Sequence, residues 1–240
     1  METPFFDDFW QASELSPHNL REFMRMMDSY DPESRQLRLD HPLAPTPLPR
    51  TRGRPLERLA ARRRSGRGFS PRPLGAKYLA RLLGSCRAWG GPEHRAFPSA
   101  SASYATEVFV VGWQVENHTG RMLYYDPIDH GLVILPDPSP PWPEAQSRIN
   151  VPVTGEPACL VVATLFPDRL TAKYGERGGR FALLEAGAVM QQLSLTAADL
   201  GLAGVVVGGL IDDYWLARLG LTRTGAVVAF GYLVGHGGRG

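Results

Sequence analysis

The feature that most constrains the fold is a long, largely apolar stretch, GRFALLEAGAVMQQLSLTAADLG, at residues 179–201. Its apolar residues recur at helical spacing, and Gly201 is the expected stop. The larger polar residues fall at spacings of seven, four and three, which predicts one narrow stripe formed by Glu185, Gln192, Thr196 and Asp199. Because most of the remaining helix surface is apolar, we expect this helix to be buried on several sides.

Runs rich in β-branched and aromatic residues predict strands on both sides of that helix. The run at 157–166 is continuously apolar, which is typical of a strand covered on both faces. This order of helices and strands predicts an α+β fold, with a mixed or antiparallel central sheet flanked by helices. The other predicted strands are 107–117, 121–127, 131–136, 202–209 and 226–235, and shorter helices are predicted at 17–30, 55–65, 74–86 and 212–221.

The chain divides near residue 55. Residues 1–55 combine the first predicted helix with a proline-rich segment that begins at residue 40. Proline lacks a backbone donor and restricts the residue before it, so this segment predicts an extended arm. We therefore expect an N-terminal helix and arm over 1–55 and a compact domain over 56–240.

Composition is that of an ordinary globular protein, with 43% hydrophobic and 21% charged residues. No run approaches the roughly 18 apolar residues of a membrane helix, and the acidic, aromatic N-terminus does not resemble a secretory signal. The two cysteines, Cys86 and Cys159, allow one disulfide but sit in no metal-binding spacing. A reducing cytoplasm, no membrane association and no metal site are therefore expected.

A second constraint is the basic run RRRSGRGF at residues 62–69. Residues 50–72 carry a net charge of +8, whereas the whole chain carries only +2. Nucleic-acid binders usually spread positive charge over a face or groove, so charge confined to one segment favours a single localised anion. Arginine forks match phosphate oxygens, which makes a phosphate-bearing ligand the leading interpretation and a solvated basic segment the alternative.

Three other stretches contain candidate functional residues, but they indicate a function only when they are considered together. The loop at 96–111 alternates small residues and hydroxyls before a strand, which permits close approach of a flat ligand. The segment 173–181 places Lys173 and Tyr174 before a glycine-rich turn, and such a pair is a candidate general base. Paired glycines open 208–215 after an apolar strand. Taken singly, each is equally an ordinary loop or turn.

Together, in this order, the four stretches resemble the nitroreductase-like flavoproteins, and among them the SagB-type dehydrogenases, over roughly 56–235. RRRSGRGF is similar to the family's R-R-S-x-R-x-F segment, and PSASASY to its P-S-A-G-A-x-Y loop. The hairpin MLYYDPIDHGLVIL resembles Y-x-Y-x-P-x-x-H-x-L. The stretch beginning KYGERGGRF is similar to K-Y-G-x-R-x-x-R-F followed by the long helix.

The resemblance implies a homodimer with FMN at the subunit interface and the long helix in the dimer core. Lys173 and Tyr174 match the catalytic pair of the azoline-oxidising members. The residues that match FMN-contacting positions are Arg63, Arg64, Ser65 and Arg67 near phosphate and ribityl, Pro98, Ser99 and Ser101 beside the isoalloxazine, Gln191 or Gln192 in the pocket, and Gly208 and Gly209 near the ring.

Departures from the family pattern bear on the substrate more than on the cofactor. Ser101 stands where the family has glycine, and residues 1–55 are shorter than the usual peptide-recognition domain. The implied function is FMN-dependent oxidation of a peptide thiazoline or oxazoline to the azole, with a cyclodehydratase as a partner. The alternatives are an NAD(P)H-dependent nitro- or quinone reductase and a non-catalytic subunit of a peptide-modifying complex. A nucleic-acid role is not expected.

Overall fold

The computed structural model describes residues 3–31, 46–49 and 53–238. One sheet has the order β3-β2-β1-β4-β6-β5, and every neighbouring pair in it is antiparallel. The predicted α+β class is confirmed, and of the two sheet types left open the antiparallel one is present. The strands are β1 (Thr106–Gly112), β2 (Arg121–Asp126), β3 (Gly131–Pro138), β4 (Cys159–Leu165), β5 (Ala203–Val207) and β6 (Val227–Gly235).

The helices begin where local sequence favours them. Proline opens both α1 and α3, since its missing N–H is not needed in the first turn. The sequence does not predict α1, and α2 is shorter than the predicted helix. The helices are α1 (Pro4–Ser13), α2 (Leu20–Ser29), α3 (Pro55–Arg62), α4 (Ala76–Gly84), α5 (Trp142–Gln146), α6 (Asp168–Tyr174), α7 (Glu176–Asp199) and α8 (Asp212–Arg218).

The sheet is covered on both faces. Every residue of the central strands β1 and β4 is buried. Along β1, Val108 and Val110 pack on the side of α4 and α7, whereas Phe109 and Val111 pack with Trp142 on the other side. This alternation follows the two-residue period of a strand. The prediction that 157–166 is covered on both faces is confirmed.

Helix α7 carries an open face. It starts at Glu176, three residues earlier than predicted, and its inner face is buried in the core. The prediction of burial on several sides is wrong for the single chain, because Leu184 is 71% exposed and Leu183 is 39% exposed. The exposed residues of this face, named here the α7 outer face, are Arg180, Leu183, Leu184, Gly187 and Gln191.

The segment after Tyr174 is helical, so the predicted glycine-rich turn shrinks to Gly175. Gly178 and Gly179, in the first turn of α7, are needed for a different reason, which is close packing by neighbouring helices. A Cβ on Gly178 would lie 2.6 Å from the Leu170 carbonyl carbon of α6, and one on Gly179 would lie 2.1 Å from Phe6 of α1. Both neighbouring helices therefore pack directly on the α7 backbone, and α6 ends beside the start of α7.

The predicted polar stripe of α7 points partly inward. Glu185 is buried, and its Oε1 accepts the Thr106 N–H at 2.7 Å at the start of β1. A buried carboxylate here satisfies a backbone donor that would otherwise lack a partner. Cys86 and Cys159 are both free and buried, so they form no disulfide with each other. Burial raises the pKa of Cys86 to about 11 and that of Cys159 to about 12.

The domain boundary near residue 55 stays a prediction. Helix α3 begins at Pro55, as a compact domain over 56–240 would require. Residues 40–45 and 50–52, which are most of the proline-rich arm, lie outside the described residues, as do residues 32–39 before it.

Candidate active site

The basic run lies along the beginning of β5. Gly66 donates its N–H to the Gly204 carbonyl at 2.9 Å, and a Cβ on Gly66 would lie 2.9 Å from the Ala203 Cβ. Phe69 anchors the other end of the run, because its side chain is buried and its N–H donates to Thr154 at 2.8 Å. Glycine at position 66 thus lets the arginines approach the edge of the sheet.

The three arginines of the run differ in their surroundings. Arg63 is half-buried and lies close enough to Tyr232 for its charge to affect that hydroxyl. Burial raises the pKa of Tyr232 to about 12, and the Arg63 charge opposes this rise. Arg64 folds back onto the end of α3, where Nη1 donates to the Ala61 and Arg63 carbonyls at 2.8 Å each. Arg67 is exposed. Within the described residues no carboxylate pairs with any of the three, which leaves their charge available to an anion.

The paired glycines lie at the far end of β5. No atom lies within 4 Å of where a Cβ on Gly208 would be, so the backbone there is open. Gly209 is held from behind, since its carbonyl accepts the Asn150 N–H at 2.6 Å. The five residues of β5 span about 17 Å, and β5 is an edge strand of the sheet as described. The guanidinium groups at one end pair with no carboxylate of the described residues, and the backbone at the other end is open. This arrangement fits an extended nucleotide with a terminal phosphate.

A second cluster forms at the end of α6. Lys173 Nζ donates to Ser101 Oγ at 2.6 Å, and the same oxygen is hydrogen-bonded to Tyr174 Oη. The Tyr174 ring packs edge-on against Phe181 at 5.0 Å between centroids. The predicted Lys–Tyr pair therefore meets the predicted small-residue loop through one serine oxygen.

The loop that supplies Ser101 has an unusual backbone. Ser101 and Ala102 have φ values of 55° and 52°, in the left-handed region that glycine adopts most easily. Ser99 fixes the loop, because its Oγ accepts the Tyr104 N–H at 2.9 Å. Pro98, before them, is exposed. The position where the resembled family has glycine is thus one whose geometry favours glycine.

The two clusters lie at opposite ends of α7 within one chain. Tyr174 precedes the first residue of α7, whereas its last turn leads through Gly201 to Ala203, against which the basic run packs. The 24 residues of α7 measure about 36 Å. Of the candidate glutamines, Gln191 lies on the α7 outer face, and Gln192 donates to the Ala96 carbonyl at 2.8 Å.

The structure adds a cavity that the sequence interpretation does not assign. It measures about 420 Å³ and lies between α4, α7 and the β2–β3 turn. Tyr125 Oη is 2.7 Å from His130 Nδ1, and His130 has a φ of 51°. Burial, followed by the charge of Arg87, lowers the pKa of His130. The only sequence signal was the Tyr and His of the hairpin motif. The lining residues include Arg81, Arg87, Trp89, His130, Gln192 and Thr196.

The described residues contain neither a membrane-spanning helix nor a cluster of metal ligands. No helix there is long and apolar enough to cross a membrane. Nor do these residues contain a group of three or more histidine, cysteine or acidic side chains able to hold a metal ion.

The fold and the two clusters define an antiparallel α+β domain whose edge strand β5 has a basic run beside its beginning and open glycine backbone after its end. The Nitroreductase family model matches residues 60–236, so the chain belongs to the Nitroreductase family. A Methanocaldococcus jannaschii protein that bears a nitroreductase name is 32% identical over 162 residues, which are 66% of this chain and 80% of that protein.

Solved structures share the fold at lower identity. The Escherichia coli microcin synthetase McbBCD complex with truncated pro-MccB17 bound contains a chain that matches with a TM-score of 0.75 and 19% identity, over 99% of this chain and 93% of that one. A Ralstonia eutropha nitroreductase-type structure matches at 0.65 and 22%, over 82% and 89%. A Desulfovibrio desulfuricans structure in complex with FMN matches at 0.54 and 17%, over 78% and 89%. At these identities the matches establish the fold.

Proposed function

We propose that this protein is an FMN-dependent dehydrogenase that oxidises a thiazoline or oxazoline ring in a peptide to the thiazole or oxazole. The observation that carries this proposal is the cluster in which Lys173 and Tyr174 share the Ser101 hydroxyl. A tyrosine oxygen with an adjacent ammonium group is suited to remove a proton from carbon. The fold likeness to a microcin synthetase complex with a pro-peptide bound supports a peptide substrate.

FMN is the proposed cofactor, and the edge of β5 is its proposed site. Arg63, Arg67 and Ser65 would hold the phosphate, and Arg64 would add charge from its position on the end of α3. Gly208 offers open backbone at the opposite end of the strand, with Gly209 behind it. When bound, FMN supplies acceptance of two electrons as a hydride. The Desulfovibrio desulfuricans relative of the same fold binds FMN, which supports this choice.

Tyr174 and Lys173 would carry the proton chemistry. The Tyr174 oxygen takes the ring proton next to the peptide carbonyl, and the Lys173 ammonium provides the compensating positive charge. Pro98, Ser99 and Ser101 form the loop that would face the flat part of the cofactor, with Gln191 or Gln192 at the pocket edge. Dioxygen is the proposed final electron acceptor.

The proposed working form is a homodimer. The base cluster and the basic run lie at opposite ends of α7, about 36 Å apart along the helix. Two copies related by a two-fold axis, with their α7 outer faces in contact and antiparallel, would bring the base cluster of one chain near the β5 edge of the other. The exposed Leu183 and Leu184 support this arrangement, since it would remove them from water.

The proposed setting is a cytoplasmic peptide-modifying system. A cyclodehydratase would supply the azoline ring that this enzyme consumes. The free, buried thiols of Cys86 and Cys159 agree with a reducing compartment.

The proposal is tested with the purified protein, FMN and a synthetic peptide carrying a single thiazoline. Anaerobic mixing should bleach the flavin absorbance near 450 nm, and the peptide should lose two mass units. Lys173→Met and Tyr174→Phe should each slow bleaching at least about 100-fold while leaving the oxidised flavin spectrum unchanged. A protein that binds no FMN, or variants that bleach at the wild-type rate, would refute the assignment.

The second candidate is a nitro- or quinone reductase driven by NAD(P)H, which the M. jannaschii relative favours. That reaction needs no general base at Tyr174. Rapid flavin bleaching by NADPH alone, unchanged in Tyr174→Phe, would favour this function. A third candidate, a non-catalytic subunit, predicts little or no FMN binding.

A further inference from the structure

Ser101 lies between the two residues of the proposed base. Its Oγ accepts a hydrogen bond from Lys173 Nζ at 2.6 Å and shares a second one with Tyr174 Oη. An ammonium group has three donors and no acceptor, which fixes the direction of the first bond. The Ser101 hydrogen is then available to the Tyr174 oxygen. Lys173 Nζ itself is 5.3 Å from the centroid of the Tyr174 ring.

The backbone at Ser101 is held where a side chain is disfavoured. Its φ of 55° and ψ of 26° are left-handed, and Ala102 follows with a φ of 52°. Glycine would adopt this geometry without a steric cost. A non-glycine residue in such a position points to a role for its side chain, provided that the side chain makes specific contacts. Ser101 makes two, both to the proposed base.

We infer that Ser101 is a positioning residue that connects the Lys173 ammonium to the Tyr174 oxygen. This inference rests on the proposed function for the role of Tyr174. In the proposed reaction the ring carbon would give its proton to the Tyr174 oxygen, and FMN, when bound, would supply the acceptance of two electrons as a hydride. Ser101 and Lys173 keep their own protons throughout. The hydroxyl orients the Tyr174 oxygen and transmits the charge of Lys173 to it.

The first test is spectroscopic and needs no substrate. In protein labelled with ¹³C at tyrosine Cζ, the Tyr174 resonance is assigned by its loss in Tyr174→Phe. Lys173→Met should shift this resonance in the wild-type background. Ser101→Gly should also shift it, and adding Lys173→Met to Ser101→Gly should then change it little further. Ser103→Ala is the matched control, since the Ser103 hydroxyl makes no hydrogen bond within the described residues.

The second test is kinetic. With the thiazoline peptide, Ser101→Gly should slow anaerobic flavin reduction about 10-fold, a part of what a general base contributes, with KM unchanged within about twofold. The rising limb of the pH–rate profile should move to higher pH, because the Tyr174 oxygen would lose the hydroxyl that connects it to the Lys173 charge. Because glycine relieves the backbone at this position, a slower rate cannot be attributed to added strain.

The two tests distinguish a failure of the proposed function from a failure of the inference about Ser101. If wild-type protein oxidises no azoline but Lys173→Met shifts the Tyr174 resonance only when Ser101 is present, the proposed function fails and the connection stands. If Lys173→Met acts equally in both backgrounds, the inference about Ser101 is overturned. An unchanged pH–rate profile in Ser101→Gly, with wild-type turnover intact, overturns it as well.

Discussion

Phe6 of α1 lies against Gly179 of α7 so closely that a Cβ at position 179 would come within 2.1 Å of the phenyl ring. The start of α1 is tied to the same helix, because the Phe5 and Phe6 N–H groups donate to the Glu176 carboxylate at 3.1 and 2.9 Å. Glu176 follows Tyr174 by two residues. The N-terminal helix therefore fixes the start of α7, which directly follows the proposed base at the end of α6.

This contact predicts that Gly179→Ala destabilises the protein. Alanine favours a helix over glycine by about 1 kcal/mol, but the added methyl must displace Phe6, and overpacking costs about 1–3 kcal/mol. We expect a lower midpoint in urea and a change in Trp10 fluorescence, since Trp10 packs on Phe6 with ring centroids 5.7 Å apart. Stability equal to or above that of the wild type would show that α1 does not hold this position.

Gly187, on the α7 outer face, gives the opposite expectation for stability. No atom lies within 4 Å of where a Cβ on Gly187 would be. In an isolated chain, Gly187→Ala should therefore raise the free energy of unfolding by about 1 kcal/mol. In a dimer packed tightly on this face, the same methyl should instead weaken association. Urea unfolding at two protein concentrations distinguishes the two cases, because only dissociation depends on concentration.

The proposed phosphate site predicts a ranking among the arginines. Arg63→Ala and Arg67→Ala should each weaken FMN binding about 10- to 100-fold, since a charge-assisted hydrogen bond is worth about 1.5–3 kcal/mol. Arg64→Ala should weaken it less, because Nη1 of Arg64 already donates to the Ala61 and Arg63 carbonyls at the end of α3. Fluorescence titration measures each Kd.

Riboflavin and an arginine outside the run RRRSGRGF provide the controls for this ranking. Riboflavin lacks the phosphate, so its affinity should be the same in all three variants and in the wild type. Arg72→Ala, at an exposed position outside the run, should leave FMN affinity unchanged. A parallel loss of riboflavin affinity would mean that the substitutions disturb the fold or the ring site instead of the phosphate site.

The sequence predicted the sheet and the long helix well because both depend on local periodicity. Six strand segments and α7 were found at nearly their observed positions. What the sequence could not predict depends on contacts between distant segments. The role of Gly179 depends on Phe6, more than 170 residues earlier, and the inward position of Glu185 depends on a free N–H at Thr106.

For the candidate site, too, the sequence predicted the local features but not the contacts between distant segments. Lys173 and Tyr174 were found as an adjacent pair, and Ser101 as a departure in a loop. Their meeting at one oxygen depends on a left-handed backbone that no propensity predicts for serine. The Tyr125–His130 pair lies in the hairpin motif, but the sequence assigns it no role, because the cavity that His130 lines is formed by three separate elements.

The exposed α7 outer face predicts that Leu184→Glu converts a dimer into a monomer. Leu184 is 71% exposed in the single chain, so the substitution should cost a monomer no more than about 0.5 kcal/mol. Placed against its symmetry mate, the charge would be desolvated without a partner. Sedimentation velocity should show half the wild-type mass, and FMN occupancy should fall with it. Ile128→Glu, 56% exposed on a turn, is the control and should stay dimeric.

Asp212 predicts a specific pH dependence of stability. Its Oδ2 accepts the Leu15 N–H at 2.9 Å, and burial raises its pKa to about 6 from 3.8. The nearby Glu14 also has a raised pKa, mainly through burial and then through Asp213. Because the folded state binds the Asp212 proton more tightly than the unfolded state, this stability is fully present below about pH 4 and is lost as pH rises through 6.

Asp212→Asn removes this titration while keeping an oxygen for the Leu15 N–H. Its free energy of unfolding relative to wild type should therefore increase between pH 4 and pH 7, by up to about 3 kcal/mol for two pKa units. Urea unfolding across this range measures the difference directly, and subtracting the wild-type curve cancels the other carboxylates. A difference that does not change with pH would mean that Asp212 is ionised at little cost in the folded protein, and that the segment around Leu15 does not enclose it.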